Sequence, residues 1–297
     1  MAPARASART YLEGSRSDLV VPTVRGPPPK FELREGLGPE ELSVLARDAP
    51  LDHAFALYDM ERFSERVRFV TVREGGRPVS YLLIWYGDPS KPVVHWVGEA
   101  GWEALEKGLP VPPFVAIVPT KVAKRVAWPS PSTSHTIELW VRRRHVAQPA
   151  LPGHPGGTPR VRRLGPEDRE ALQRFAERHQ DEPDLRALGG TDPGRARVYG
   201  ALSANPEGEQ LLALARSTVE LPQVWFVGGV YTEPSHRGTG LGREVTWAVA
   251  RAAHEAGADC ALYVRSDNPA AIAAYTALGF QRVSLRTWVD AGAGPSP

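Results

Sequence analysis

The chain has 297 residues, of which 42% are hydrophobic, and its 36 basic and 34 acidic side chains give a net charge of +2. This balance gives no electrostatic surface for DNA or RNA. No run approaches the roughly 18–20 consecutive apolar residues of a membrane-spanning helix. The basic start MAPARASART lacks the apolar segment of a secretory signal, so we expect a cytoplasmic protein without membrane partners. The single cysteine, Cys260, excludes an intramolecular disulfide and a cysteine-rich zinc site.

Proline and glycine mark a boundary near the middle of the chain. Residues 147–160 hold four prolines and three glycines, which is typical of an interdomain linker. Residues 1–30 are rich in Arg, Ser and Pro and predict a flexible tail. The sequence therefore predicts two α/β domains, at 31–146 and at 161–290.

The first half alternates between helix and strand signals. Apolar residues at helical spacing predict helices over 39–47, 52–66 and 102–107. Segments rich in β-branched and aromatic residues predict a hairpin over 68–86, with its turn at 74–77, and strands over 93–97, 114–118 and 136–141.

The second half repeats this order. The predicted helices cover 166–179, 241–256 and 269–278, and the predicted strands cover 161–164, 210–218, 223–231, 261–264 and 280–289. Residues 180–208 are polar and interrupted by Gly and Pro, so we expect loops and a broken helix there. The shared order of elements suggests an internal duplication, although the residues of the two halves show no convincing match.

A glycine-rich junction between a strand and a helix carries the first chemical signal. The segment VWFVGGVYTEPSHRGTGLG ends a predicted strand and leads through Arg237, Gly238, Thr239, Gly240, Leu241 and Gly242 into a helix. Glycines there leave backbone N–H groups unobstructed, and the helix N-terminus adds partial positive charge. The sequence therefore predicts a phosphate or diphosphate site, to which Arg237 adds a charge-assisted contact.

Three phosphate-binding patterns compete for this junction. A P-loop needs a lysine, and no lysine follows Lys124. A dinucleotide fingerprint needs GxGxxG, but the third glycine stands one position early and residue 243 is arginine. The pattern Arg/Gln-x-x-Gly-x-Gly/Ala fits as Arg237, Gly240 and Gly242. It resembles the diphosphate loop of the GNAT superfamily of N-acetyltransferases.

A downstream segment resembles the second signature of the same superfamily. LYVRSDNPAAIAAYTALGF, from Leu262 to Phe280, contains a strand, Asn268, a short helix with Tyr275, and a terminal Gly-Phe. The resemblance covers nearly all of the second half. It implies a mixed, mostly antiparallel sheet with flanking helices (the GNAT fold), in tandem with a degenerate N-terminal α/β copy that has lost the phosphate loop.

The resemblance also implies roles for particular residues. Gly228 and Gly229 interrupt a central strand and predict a bulge. There Gly229 and Val230 would offer backbone groups to acyl-pantetheine. Asn268 would cap its helix and also reach the pantetheine or a backbone group near it. Tyr275 would act as the general acid near the coenzyme sulfur.

The general base is where the sequence departs from the superfamily pattern. Many members carry a glutamate thirteen residues before the loop arginine, and this chain has Val224 there. Two interpretations of the base remain: Glu220 acts through a water, or a water wire alone accepts the proton. Glu233 and His236 are expected to be loop residues beside the phosphates.

The expected function is N-acyltransfer from acyl-CoA, with acetyl-CoA as donor, directly to a small-molecule or peptide amine. No metal is expected, because the eight histidines show no metal-binding spacing. The expected assembly is a monomer or homodimer without nucleic acid. A non-catalytic module that binds or senses acyl-CoA is the alternative, and a dinucleotide oxidoreductase is disfavoured by the glycine spacing.

Overall fold

A single sheet of twelve strands organises the computed structural model, which describes residues 30–149, 159–179, 193, 197–205 and 208–292. Residues 1–29 of the predicted tail and 150–158 of the predicted linker lie outside the described residues. The strands are β1 (Glu32–Glu35), β2 (Val67–Glu74), β3 (Arg77–Trp85), β4 (Val93–Val97), β5 (Phe114–Pro119), β6 (Ser132–Arg142), β7 (Arg160–Arg163), β8 (Val198–Asn205), β9 (Gly208–Glu220), β10 (Val224–Thr232), β11 (Asp259–Arg265) and β12 (Gln281–Ala291). The α-helices are α1 (Pro39–Asp48), α2 (Ala54–Arg62), α3 (Trp102–Leu105), α4 (Thr120–Ala123), α5 (Arg169–Arg178), α6 (Leu241–Glu255) and α7 (Pro269–Ala277). None of these helices is long and apolar enough to cross a membrane.

Most predicted elements are confirmed, with ends that shift by a few residues. The expectation of loops and broken helix over 180–208 is wrong where β8 forms, at Val198–Asn205. Val198 and Leu202 pack on one face of the sheet, and Tyr199 and Ala201 pack on the other. Burial on both faces makes this a strand, although the polar residues around it hide the signal.

The strand order shows how the two halves are joined. It runs β1-β2-β3-β4-β5-β12-β6-β11-β10-β9-β8-β7. The last strand of each half separates the last two strands of the other: β12 lies between β5 and β6, and β6 lies between β12 and β11. The order is therefore the same when read from either end, so the halves share one topology. The boundary at 147–160 stays a prediction, and hydrogen bonding of the sheet continues across elements from both sides of it.

Two of the eleven neighbouring strand pairs are parallel, β4 with β5 and β10 with β11, and each half contains one of them. The remaining pairs are antiparallel. This mixed, mostly antiparallel sheet with flanking helices is the fold class that the sequence indicates.

The sheet curves around α2. Phe55 of α2 stacks on His95 of β4, with ring centroids 4.3 Å apart, and also packs on Phe226 of β10 at 4.9 Å. Those two strands are five positions apart, which in a flat sheet would separate them by roughly 24 Å. The curvature therefore brings the parallel strand pairs of the two halves to the same helix.

A fully buried arginine joins the two halves on the face of the sheet opposite to α2. Arg142, at the end of β6, donates to the carbonyl oxygens of Leu278 (2.7 Å), Val146 (3.1 Å) and Ala147 (2.6 Å). Its guanidinium carbon lies 4.7 Å from the centroid of the Trp247 ring on α6. Carbonyl oxygens and an aromatic face thus surround this cation, and burial lowers its pKa from the usual value.

We expect Arg142→Met to lower the free energy of unfolding by about 3 kcal/mol, because it leaves buried carbonyls without donors. Arg143→Met is the matched control: Arg143 is the next residue, its side chain is 51% exposed, and it pairs with Asp259 at 2.8 Å. An exposed pair of this kind contributes less than about 1 kcal/mol. Urea unfolding of both variants measures the difference, and equal losses would contradict the role given to Arg142.

A buried carboxyl group on α2 predicts that the stability of the fold depends on pH. Asp59 is 8% exposed. Burial raises the pKa of Asp59 from 3.8 to about 7. The unfolded chain therefore releases this proton at a lower pH than the folded chain does, so stability falls as the pH rises from about 4 to about 7.

Asp59→Asn should be more stable than the wild type at pH 8, by at most about 4 kcal/mol, and the difference should vanish near pH 4. Glu61→Gln, on the exposed side of the same helix, serves as the control and should change stability little at either pH. Urea unfolding at the two pH values measures both effects. A gain for Asp59→Asn that is the same at both values would show that its charge is not the cause.

Candidate active site

The parallel strands β10 and β11 separate halfway along their length. Val224–Val227 pair with Asp259–Leu262, and no further pair forms between these strands among the described residues. β10 nevertheless continues to Thr232, and β11 continues to Arg265. A V-shaped gap therefore opens after Val227 and Leu262.

The paired glycines of β10 lie where this gap begins. The register of β10 against β9 shifts between Gly228 and Tyr231, and Gly229 has a φ of +58°. A Cβ on Gly228 would lie 2.6 Å from the Cγ2 of Thr218. The predicted bulge thus exists because one position has no room for a side chain and the next has a left-handed backbone.

The glycine loop follows at the same end of β10. A 3₁₀ turn over Pro234–His236 leads to Gly238 (φ +78°) and to Gly240 (φ +95°), which precedes the first residue of α6. The backbone N–H groups of residues 238–242 donate to no other described residue. A Cβ on Gly238 would meet nothing within 4 Å. Free N–H groups, open space and a helix N-terminus together fit an anionic group such as a diphosphate.

Side chains of the loop hold its shape. Thr239 donates from Oγ1 to the carbonyl oxygen of His236 at 2.7 Å. Arg237 donates from Nε to the carbonyl oxygen of Thr232 at 3.2 Å, and its guanidinium carbon lies 5.4 Å from the centroid of Tyr231. The terminal nitrogens of Arg237 remain at the exposed surface of the loop, where they can contact an anion.

A partly buried ion pair holds the start of the loop, and no sequence pattern indicates it. Glu233 is 7% exposed and accepts from Nη2 of Arg178 at 2.7 Å. His179 and His236 lie 3.6 and 3.8 Å from the same carboxylate. Glu233 therefore connects the end of α5 to the end of β10 and fixes where the loop begins. Arg178 is remote in sequence, so only the packing of α5 identifies this pair.

The second motif places Asn268 and Tyr275 on α7. Asn268 accepts at Oδ1 from the backbone N–H of Ala271 at 3.0 Å, so it caps the helix as expected for this residue type. Tyr275 is 8% exposed and belongs to the same apolar cluster as Val227 and Leu262, the residues that border the gap. Burial raises the pKa of Tyr275 to about 12, so the phenol stays protonated at neutral pH.

Glu220 lies at the closed end of β10, away from the gap and the loop. It pairs with Trp225, which is roughly 13 Å along the strand from Gly229. Its Oε2 accepts from Nε of Arg197 at 2.9 Å, and its Oε1 accepts from the hydroxyl of Ser217. Both oxygens of Glu220 are thus engaged. Val224 belongs to an apolar cluster with Ala54.

The first half contains a related strand pair without the loop. β4 and β5 pair over Val93–His95, and the chain then turns at Gly98 into the four-residue helix α3. Two acidic residues, Glu99 and Glu103, flank the start of α3, which disfavours an anion there. A Cβ on Gly101 would lie 2.6 Å from Val72, so this glycine serves close packing.

Two further sequence expectations concern metals and the cysteine. The described residues contain no group of three or more His, Cys, Asp or Glu side chains that could hold a metal ion. Cys260 is buried, and burial raises the pKa of its thiol, which disfavours the reactive thiolate.

Comparisons with known proteins agree with this geometry. Residues 207–289 match a family model described as FR47-like protein. No curated protein matches the sequence significantly.

Solved structures share the fold over most of the chain. A Drosophila protein from structural genomics has a TM-score of 0.67 at 16% identity, covering 87% of this chain and 98% of its own. A GCN5-related N-acetyltransferase from Sphaerobacter thermophilus has a TM-score of 0.56 at 15% identity, covering 88% and 95%. A tandem GNAT protein from the clavulanic acid biosynthesis pathway has a TM-score of 0.53 at 16% identity, covering 90% and 100%. The chain thus has the GNAT fold, which it shares over most of its length with a tandem GNAT protein, and residues 207–289 within it match the FR47-like model.

Proposed function

We propose that the protein is an acyl-CoA-dependent N-acyltransferase, with acetyl-CoA as donor and its active site in the second half. One observation carries this proposal. The gap between β10 and β11 and the glycine loop before α6 lie at the same end of β10. A ligand with a long thioester arm and a diphosphate fits both features at once, whereas a dinucleotide needs no gap between strands.

Different residues bind different parts of the coenzyme. The backbone N–H groups of residues 238–242, together with Arg237, bind the diphosphate. Gly229 and Val230 present backbone groups along one side of the gap, and Asn268 holds the N-terminus of α7 beside β11. The coenzyme supplies an activated thioester, and a backbone N–H near the bulge polarises its carbonyl.

The transfer itself forms an N–C bond and breaks a C–S bond. The amine loses one proton and the leaving thiolate gains one, so the reaction needs a proton acceptor and a proton donor. Tyr275 suits the donor, because its pKa of about 12 keeps the phenol protonated and its ring lies in the apolar cluster that also contains Val227 and Leu262. Since the contacts of Glu220 favour a structural role, water is the proton acceptor that we propose.

A non-catalytic acyl-CoA sensor is the second candidate. The observation that favours it is the apolar setting of Val224, at the position where many superfamily members carry a glutamate base. The two candidates share the binding site and differ only in turnover.

Gly240→Glu should raise the dissociation constant of acetyl-CoA by about 10- to 100-fold, because a carboxylate replaces the space and the charge that the diphosphate needs. Gly257→Glu is the matched control. Gly257 lies beyond the other end of α6 with a φ of +82°, and a Cβ there would meet nothing within 4 Å. Both changes strain a left-handed glycine, so calorimetric titration separates backbone strain from ligand contact. Equal affinities of the two variants would disprove the loop assignment.

Tyr275→Phe should lower kcat by about 100-fold or more, and leave acetyl-CoA affinity within about twofold, if the phenol protonates the thiolate. Tyr199→Phe is the control, because Tyr199 is equally buried (8%) in the same cluster. Release of free thiol from acetyl-CoA with a panel of amines measures turnover. An unchanged kcat would assign Tyr275 to packing alone. Tight binding without thiol release on any amine would establish the sensor instead.

A further inference from the structure

Three aromatic rings pack together at the closed end of the gap between β10 and β11. Phe226 of β10 lies one residue before Val227, where the pairing ends, and Tyr263 of β11 lies one residue after Leu262. The centroids of these two rings are 5.8 Å apart. Phe55 of α2 packs on both, at 4.9 Å from Phe226 and 6.3 Å from Tyr263. We call these three rings the aromatic wall.

The aromatic wall leaves no room for another group between its rings. Aromatic rings in contact have centroids about 4.5–7 Å apart, and all three pairs fall in this range. Phe226 is 1% exposed. Behind the wall lies a cavity of about 10 Å³, lined by two of the rings and by Asp52, His95 and Arg286. This volume is enough for about one water, so the rings separate the gap from a small polar cavity.

The closed end of the gap is also covered on the opposite face of the sheet. Val227 and Leu262 are 5% and 1% exposed, and they belong to the apolar cluster that contains Tyr275. Phe226 belongs to a different cluster, which includes Ala54 of α2. In the plane of the sheet, the paired residues of β10 and β11 close the gap. The closed end is therefore bounded by paired strands, by an apolar cluster on one face and by the aromatic wall on the other.

The position of the glycine loop determines which way an acyl-CoA would lie in the gap. The loop follows the end of β10 at Thr232, whereas the gap begins at Gly228, at the other end of the unpaired segment. A coenzyme with its diphosphate at the loop and its arm along β10 therefore brings its thioester toward the closed end. The acyl group beyond the thioester is then the part of the ligand nearest to the aromatic wall.

We propose that the aromatic wall limits the acyl group to the size of acetyl or propionyl, and that Phe226 sets this limit. The proposal rests on the proposed function and deepens it, because it names the donor class as short-chain acyl-CoA. A longer chain would have to separate packed rings or enter a cavity lined by charged side chains, and neither offers apolar space. Phe226 and Tyr263 bound the acyl group, and Phe55 of the first half is a positioning residue that holds both rings.

Calorimetric titration with free CoA, acetyl-CoA, butyryl-CoA and hexanoyl-CoA tests this limit without an acceptor amine. Each methylene that enters apolar surroundings tightens binding by about fourfold. The wild type offers no such surroundings at the closed end, so it should bind hexanoyl-CoA at least about 10-fold more weakly than acetyl-CoA. Equal or tighter binding of hexanoyl-CoA by the wild type would overturn the proposal.

Phe226→Leu should tighten hexanoyl-CoA binding by about 10- to 100-fold relative to acetyl-CoA, because a smaller side chain opens the closed end. Phe55→Leu should move the same ratio in the same direction by a smaller factor, since Phe55 acts through the other two rings. It also provides the second variant if Phe226→Leu disturbs folding. A ratio that stays unchanged in the variants that fold would contradict the role of the wall.

Phe69→Leu is the matched control. Phe69 of β2 is 6% exposed and packs on Tyr81 at the same centroid distance of 5.8 Å, but β2 lies seven positions from β10 in the sheet. This variant should lose packing in the same way and leave the ratio of hexanoyl-CoA to acetyl-CoA affinity unchanged. A shift as large as that of Phe226→Leu would assign the effect to general loosening of the core and overturn the proposal.

Free CoA separates failure of this proposal from failure of the proposed function. It should bind the wild type and all three variants with affinities within about twofold, because the glycine loop lies at the other end of β10 and distant sites act independently. Binding of free CoA and acetyl-CoA without discrimination against hexanoyl-CoA would overturn the chain-length limit alone. No binding of any of the four ligands would overturn the proposed function and this inference with it.

Discussion

The exchange of last strands between the halves is the constraint on which the rest of the structure depends. Because β12 lies between β5 and β6, and β6 lies between β12 and β11, neither half can complete its sheet alone. The core of each half is closed by a strand of the other. Arg142 adds a second tie at this seam, since it joins β6 to the carbonyl groups that follow α7 and to an aromatic ring on α6. The relative position of the halves is therefore set by hydrogen-bonded pairing and not by a linker.

The two halves share one strand order but differ in the segment that follows their parallel strand pair. Each half contains one parallel strand pair, yet only the second half continues from that pair into a glycine loop and a long helix. The first half instead enters a four-residue helix flanked by acidic side chains. A diphosphate needs several free N–H groups and a favourable charge, and among the described residues the glycine loop before α6 provides them. The proposed catalytic role of the second half follows from this difference.

The curvature of the sheet places helix α2 of the first half against strands of both halves. Phe55 touches β4 and β10 together, so helix α2 fills the centre of the concave face. An ion pair of Asp52, which precedes α2, with Arg286 of β12 also joins residues of the two halves. The same packing buries Asp59 at a cost in stability.

The sequence by itself determined the local elements and the glycine loop. Glycine spacing at residues 238–242, the capping residue Asn268 and the glycine pair in β10 each act on their own backbone, so their effects can be read locally. Strand β8 was not predicted, because the polar residues around it masked its short apolar run. Only the tertiary structure decided the strand exchange, the partner of Glu233 and the ion pair of Asp52 with Arg286. These depend on residues far apart in the chain, such as Asp52 and Arg286, and no local pattern records which distant side chain a residue will meet.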